Sequence, residues 1–241
     1  MIPADVPQRI AFAQAQAIVA RVAAAHRLPV ERRPLTRALG AVLAEDFVAA
    51  IALPGFDNSA MDGFALRSTD GLMQRRVIGE QFAGADRGLQ VGPGECVRLT
   101  TGAALPNGAD AVVMKENVIA DGDCVTPTQQ PRAGQHVRRR GEDVAVGDTV
   151  LLAGTRLGPS QVSLAAALGV HDLPVHRRPT VAVFTTGDEL RAPGQALAPG
   201  EIHDSNRPLL QSLLLAEGLE PVAWPVLPDD PATIAAALAD A

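Results

Sequence analysis

Asp57 and Asp62 stand five residues apart inside residues 54–65, where polar turn formers alternate with residues of buried type. Two acids five apart in such a stretch mark a candidate site. The same pattern also suits a capped turn leading into a strand, with Asp57 and Asn58 bonding their own backbone. Further on, Arg98-Leu99-Thr100-Thr101-Gly102 and Asn107-Gly108-Ala109-Asp110 read as a hydroxyl-rich loop after a strand. Paired hydroxyls and free N–H groups there could hold an oxyanion or a hydrated metal. Arg138-Arg139-Arg140-Gly141-Glu142-Asp143 sets three cations beside two acids. The arginines suit phosphate and Asp143 a metal or a hydrogen-bond donor, although charge runs of this kind are also ordinary solvated turns.

The segment 181–190 carries the strongest local argument. Val181-Ala182-Val183-Phe184 reads as a strand, and Thr185-Thr186-Gly187-Asp188-Glu189 follows it. In open parallel sheets ligands bind beyond the carboxyl ends of strands, so hydroxyls, a glycine and two carboxylates at that end read as a pocket floor. Downstream, His203-Asp204-Ser205-Asn206 precedes a helix starting near Arg207, whose free N–H groups favour an anion; Asn206 also suits a simple N-cap. The histidines at 26, 136, 171, 176 and 203 show no H-E-x-x-H spacing. With no Walker A, no G-x-G-x-x-G after a strand and no G-x-S-x-G, the zinc hydrolase, kinase, dehydrogenase and serine hydrolase readings lose their support.

The elements that must position these turns follow from periodicity. Residues 12–25 and 35–43 read as amphipathic helices, and residues 54–139 as a β-rich module of short apolar runs broken by Gly-Pro, Asn-Gly and Asp-Gly turns. A helix over 157–170, with Ser160 as N-cap and Gly169 at its stop, is expected to rejoin the first helices. From residue 180 strand, helix, strand and helix alternate, the last helix opened by Asp230-Pro231, which is the pattern of a parallel α/β sheet. The expected fold is therefore an α/β multidomain chain. A discontinuous helical domain (1–53 and 140–178) carries an inserted β-rich domain (54–139), and an incomplete α/β domain (179–241) follows. About 60 residues of a domain type that usually runs to ~100–150 mark the sequence as an expected fragment. Were it complete, its last 60 or so residues would be expected to order poorly.

Composition narrows the classes. The 241 residues carry a net charge of −6, with no Tyr, one Trp and six Phe, so there are few rings on which bases could stack and no nucleic-acid partner is expected. No apolar run is long enough to span a membrane and no leader pattern opens the chain, so no membrane partner and a cytosolic location are expected. Cys96 and Cys124 lack the spacing of a metal or disulfide framework and read as free thiols. Lys115 is the only lysine among 21 basic residues.

Taken in order, residues 54–65, 99–102 with 107–113, 137–152, and 181–190 with 202–206 resemble the molybdopterin molybdenumtransferase family, that of MoeA and the gephyrin E-domain. The block Asp57-Asn58-Ser59-Ala60-Met61-Asp62-Gly63 is its most specific part. The resemblance implies an enzyme of molybdenum cofactor biosynthesis that takes adenylylated molybdopterin and molybdate and releases AMP with Mg²⁺. It implies a homodimer with its site between subunits. It places the functional acids on Asp62, Asp143 and Glu189 and a functional hydroxyl on Thr101. Asn58, Ser59, Arg139, Thr186, Gly187, Asp188, Asp204, Ser205 and Asn206 are then cofactor-binding, and Asp62 and Asp143 are candidate Mg²⁺ ligands. Glu189 or Asp188 would accept the amide and amino edge of the pterin, while Asp62 and Asp143 would hold Mg²⁺ or protonate an oxo group leaving molybdate.

Departures from the family pattern accompany the matches. Phe64 stands where Tyr is frequent, Asp229 and Asp230 fall near a further family acid, and the Gly/Ser-rich loop, G-D-Y-D and later basic residues are absent. The 241 residues alone are therefore expected to be inactive. The alternative is a non-catalytic molybdopterin-binding or scaffold protein of the same architecture.

Overall fold

Ala111, Val112 and Val113 have no polar neighbour to turn outward, and the strand they begin, Ala111–Met114, is covered on both faces. It forms one edge of a six-stranded sheet in the computed structural model, which describes residues 10–241. The strand order across the sheet is Ala111–Met114, Gly63–Leu66, Glu95–Leu99, Arg75–Gln81, Cys124–Pro127 and Val118–Asp121. All neighbours pair antiparallel except Arg75–Gln81 with Glu95–Leu99, which run parallel. Because side chains alternate along a strand, one face gathers Leu66, Cys96, Ala111, Val113 and Val125, and another cluster gathers Ala65, Leu99, Ala103 and Val112. With its helices and sheets together, this is a mixed α/β chain with a curled sheet. Gly63 is required where its strand meets the edge strand Ala111–Met114, since a Cβ there would lie 2.0 Å from the Val113 carbonyl oxygen.

That sheet belongs to a unit formed by Glu45–His171. Within it, Phe47–Val48 pairs with Thr149–Leu151 and Asn58–Ser59 with Val137–Arg138, both antiparallel. The helix Pro159–Ala167 also lies in this unit. Its N-cap lies two residues before the one the sequence suggests: it is Gly158, not Ser160, and the Gly158 N–H donates to the Gln161 side chain at 3.0 Å. Proline has no N–H to lose and so fits the first helical position, which moves the start to Pro159. Gly169, at φ +78°, ends the helix as expected.

The second unit combines residues 10–44 with Asp172–Ala241. Its helix Phe12–Ala25 matches the expected span, but none of its residues is buried. The helix expected over 35–43 is absent. Only Leu35–Arg37 makes a 3₁₀ turn, Gly40 takes φ +73°, and Leu43 bridges Val175. Apolar residues at helical spacing there serve a strand-like edge instead, because Val30–Pro34 and Asp172–His176 pair antiparallel beside them. In the remainder, Ala182–Val183 pairs in parallel with Val222–Ala223, and Leu190–Arg191 with Ile202–His203. The helices Asn206–Ala216 and Pro231–Asp240 complete it, the second capped by Asp230, whose carboxylate accepts the Thr233 N–H at 2.8 Å. Among the described residues no helix is long and apolar enough to cross a membrane. Cys96 and Cys124 are both free; burial pushes the Cys96 thiol up to about 12, so it stays protonated.

Candidate functional site

Three polar turns meet in the unit Glu45–His171. The 57–62 turn is stitched to the 100–105 loop by main-chain bonds: Ser59 N–H to Ala103 O at 3.0 Å, Gly102 N–H to Ser59 O at 2.8 Å and Leu105 N–H to Asp57 O at 2.9 Å. Gly102 makes this possible at φ +81°, a left-handed conformation that side chains disfavour. The stitching brings Thr101 onto Asp62. Its N–H and its hydroxyl both donate to Asp62 Oδ1, at 2.8 and 3.0 Å. The second oxygen, Oδ2, stands 3.8 Å from the Lys115 ammonium. The Thr101 N–H, then its hydroxyl, and more weakly Lys115 hold the Asp62 carboxyl below its usual range. At neutral pH Asp62 is therefore an acceptor and a poor source of protons.

The third turn is the arginine-rich one. Arg138 lies beside Asn58 in the strand pair, and Arg138 and Asp143 form an ion pair. Arg139 Nη1 donates to Asp57 Oδ2 at 2.6 Å, while the Arg140 N–H donates to Asp57 Oδ1 at 2.8 Å. These two donors, the Arg140 N–H foremost, keep the Asp57 carboxyl low against the smaller effect of burial. Asn58 and Ser59 are buried, and they bond inward. The Asn58 amide donates to Phe56 O at 3.2 Å, and the Ser59 hydroxyl donates to Met61 O at 2.5 Å while accepting the Met61 N–H at 3.2 Å. Their visible work is to shape the turn that presents Asp62.

A cation held by Asp62 and Asp143 finds little in this donor set. Each carboxylate already faces a side-chain cation, Lys115 or Arg138. Among the described residues no three His, Cys, Asp or Glu side chains gather as metal ligands. The residues present do not by themselves form a Mg²⁺ cage.

In the second unit the 185–189 and 203–206 turns meet around a buried acid. Asp204, 1% exposed, accepts the Thr185 hydroxyl at 2.6 Å and the Arg207 N–H at 3.1 Å, with Arg207 Nε 3.5 Å away. Burial alone would raise its carboxyl; the Thr185 hydroxyl, the Arg207 N–H and the Arg207 charge together hold it below the usual range. Asp204 thus takes the capping role that Asn206 suggests from sequence, and Asn206 is the first helical residue after Ser205. Leu227 fixes the neighbouring turn, accepting the Gly187 N–H at 3.1 Å and donating its own N–H to Thr185 O at 2.9 Å. Gly187 is favoured there by its φ of +147°, which side chains rarely adopt. Thr186, Asp188, Glu189, Ser205 and Asn206 remain exposed, and Asp188 Oδ1 accepts the Asp229 N–H at 3.3 Å. Thr185, Arg207 and Lys115 are functional-looking contacts not singled out as site residues from sequence. The only signal for Lys115 was its being the sole lysine.

The family model described as the MoeA N-terminal region, domains I and II, matches residues 10–169, and one described as a probable molybdopterin binding domain matches residues 182–241. Molybdopterin molybdenumtransferase 2 of Mycobacterium tuberculosis is 43% identical over 212 residues, covering 85% of this chain and 52% of the relative. Molybdopterin molybdenumtransferase of Haemophilus influenzae is 40% identical over 202 residues, covering 82% of this chain and 50% of the relative. Among solved structures, a molybdopterin biosynthesis MoeA protein from Pyrococcus horikoshii superposes with a TM-score of 0.81 at 36% identity, covering 88% of this chain and 58% of its own. The chain spans about half the length of the curated relatives it matches.

Proposed function

The chain belongs to the MoeA family, and from that premise we propose that it acts in molybdenum cofactor biosynthesis as a molybdopterin molybdenumtransferase. Its substrates are molybdate and adenylylated molybdopterin, and AMP is the leaving group. The observation that carries this reading is the Asp62 carboxylate gripped by the Thr101 N–H and hydroxyl, inside a chain matched by both the MoeA and the molybdopterin-binding models. A scaffold has no need of an ionised acid so held.

The residues divide the task by their state. Asp62, ionised and fixed by Thr101, orients a donor or a cationic partner on the substrate and does not deliver a proton to an oxo group. Asp188 and Glu189, exposed on a turn shaped by Gly187 and Leu227, accept the parallel amide and amino donors of the pterin. Thr186, Ser205 and Asn206 supply hydroxyl and amide partners around them, and Asp204 keeps the floor rigid. Arg139 and Asp143 stand at the lip of the arginine turn for the phosphate end. The Mg²⁺ that the resemblance implies meets no cluster of three His, Cys, Asp or Glu side chains among the described residues, so it belongs to this proposal only as an ion arriving with substrate phosphate oxygens.

The homodimer, the cytoplasmic location and the four-part division at 53, 139 and 178, with a parallel sheet in the last part, belong to the same reading. So does a small-molecule pterin as the partner in place of nucleic acid or membrane. The test is rescue of molybdoenzyme activity by the open reading frame carrying this chain, in a strain that lacks the insertion step. Restored activity is expected. Soluble protein without rescue would overturn the enzyme reading in favour of a scaffold.

A further inference from the structure

The strand Val30–Pro34 pairs with Asp172–His176 and, among the described residues, with nothing on its other side. Which of its main-chain groups face that open edge follows from the pairing. The Arg177 N–H donates to Pro29 O at 2.8 Å, and the N–H and C=O of one strand residue point the same way, so residues 29, 31 and 33 turn theirs inward. The far side of Asp172–His176 is closed, because the His176 N–H donates to Val42 O and the Ala44 N–H to Pro174 O, both at 2.9 Å. The N–H and C=O of Val30 and Arg32 are left facing outward from the open edge, and both residues are exposed. Unpaired edges of this kind are templates for an added strand, and proteins guard them with charge.

The charge at this edge is mostly of one sign. A cleft of ≈ 410 Å³ lies against the strand, lined by Glu31, Arg32, Arg33, Pro34, Arg37 and Arg178. Two of its four arginines are matched: Arg33 Nε donates to Glu31 Oε1 at 2.9 Å and Arg32 Nε to Asp172 Oδ1 at 2.7 Å. The Arg178 guanidinium donates to the carbonyls of Leu39 and Gly218, and a carbonyl leaves its charge in place. Arg37 is exposed and has no hydrogen bond or ion pair among the described residues. In a chain of net charge −6 this is a local reversal of sign, which repels basic segments and admits acidic ones. A small anion would use the arginines and leave the edge amides idle. A nucleic acid has no backbone amide to pair with the edge and finds few rings in this chain on which to stack. An extended polypeptide rich in Asp and Glu uses both features, with main-chain bonds to Val30 and Arg32 and carboxylates forked by Arg37 and Arg178. We propose that the Val30–Pro34 edge docks an acidic, extended segment of a partner protein as an added strand. The edge admits only a short one, since its five residues cover about 17 Å and Pro34 has no N–H to donate. This docking does not depend on the enzyme reading, because none of these residues belongs to the polar turns around Asp62 or Asp204.

The product of the open reading frame carrying this chain is titrated with a fluorescent octapeptide of alternating Asp and Val, followed by anisotropy. A Kd of about 1–100 μM is expected, weakening as salt rises, with slowed hydrogen exchange over residues 30–33. Arg37→Glu, which removes no bond within the described fold, should weaken the peptide at least about tenfold and leave the thermal midpoint unchanged. The same peptide methylated on its main-chain nitrogens keeps its charge but cannot donate to the edge, and it too should bind at least about tenfold more weakly. An octapeptide of alternating Lys and Val should not bind. No binding of the acidic peptide, unchanged exchange over residues 30–33, wild-type affinity in Arg37→Glu, or undiminished binding of the methylated peptide would each overturn the proposal. So would inorganic pyrophosphate, an oligo-dT strand or the Lys-Val peptide binding as tightly as the acidic one.

Discussion

Asp62 is the residue on which the chemistry turns, and its state follows from two donors on one neighbour. Asp62→Asn keeps the shape of the side chain but removes the charge that Thr101 and Lys115 address. Pterin binding should persist while metal insertion falls to background, with equilibrium binding and AMP release as the two readouts. Thr101→Val is a finer probe, since the main-chain N–H remains and only the hydroxyl bond is lost. Losing one hydrogen bond to a charged group should lower kcat roughly tenfold with KM little changed, as steady-state kinetics would reveal. Most of this site could be read in the amino-acid sequence. Asp62 and Thr101 stand in motifs whose residue types announce a polar turn. Lys115 could not, because its role depends on the register of Gly63–Leu66 against Ala111–Met114, which pairs Gly63 with Met114 and so brings the next residue beside Asp62.

At the scale of elements, Gly63 lets two strands close together and the buried Asp204 holds two turns in place. Gly63→Ala would drive a Cβ into the Val113 carbonyl, and overpacking of that severity costs about 1–3 kcal/mol, measurable as a lowered denaturation midpoint. Asp204→Ala would strand the Thr185 hydroxyl and the Arg207 guanidinium; a loss of about 2–3 kcal/mol is expected by the same measurement, with the 203–206 turn loosened. Asp57 and Asp204 also set the acid response. Both carboxyls lie below their ordinary value of 3.8 in the folded chain. Their stabilisation is therefore fully present above that value and is lost as pH falls through the lower folded-state value. Thermal melts should weaken only below about pH 4, and Asp204→Asn should flatten that acid limb. Helix existence was legible where periodicity ran long, as at Phe12–Ala25, and where a cap marked the start, as at Asp230 before Pro231–Asp240. It failed at 35–43, where apolar spacing serves strand pairing with Asp172–His176, a long-range partner that local pattern cannot register.

For the whole molecule, the two units each assemble their own set of polar turns: one fixes Asp62, Thr101, Asp143 and Arg139, the other Thr186, Asp188, Glu189 and the Asp204 floor. The mixed α/β architecture was visible in the switch from short glycine-broken strands to alternating strands and helices. The route of the curled sheet was not, because its one parallel pair joins strands whose neighbours all run antiparallel. The most direct measurement incubates the purified product of the open reading frame, wild type and Asp62→Asn in parallel, with adenylylated molybdopterin and molybdate. AMP released and molybdenum retained on the pterin are then quantified. The wild type should yield both in equal amounts and Asp62→Asn neither, with its pterin still bound; equal turnover by the two proteins would contradict the account.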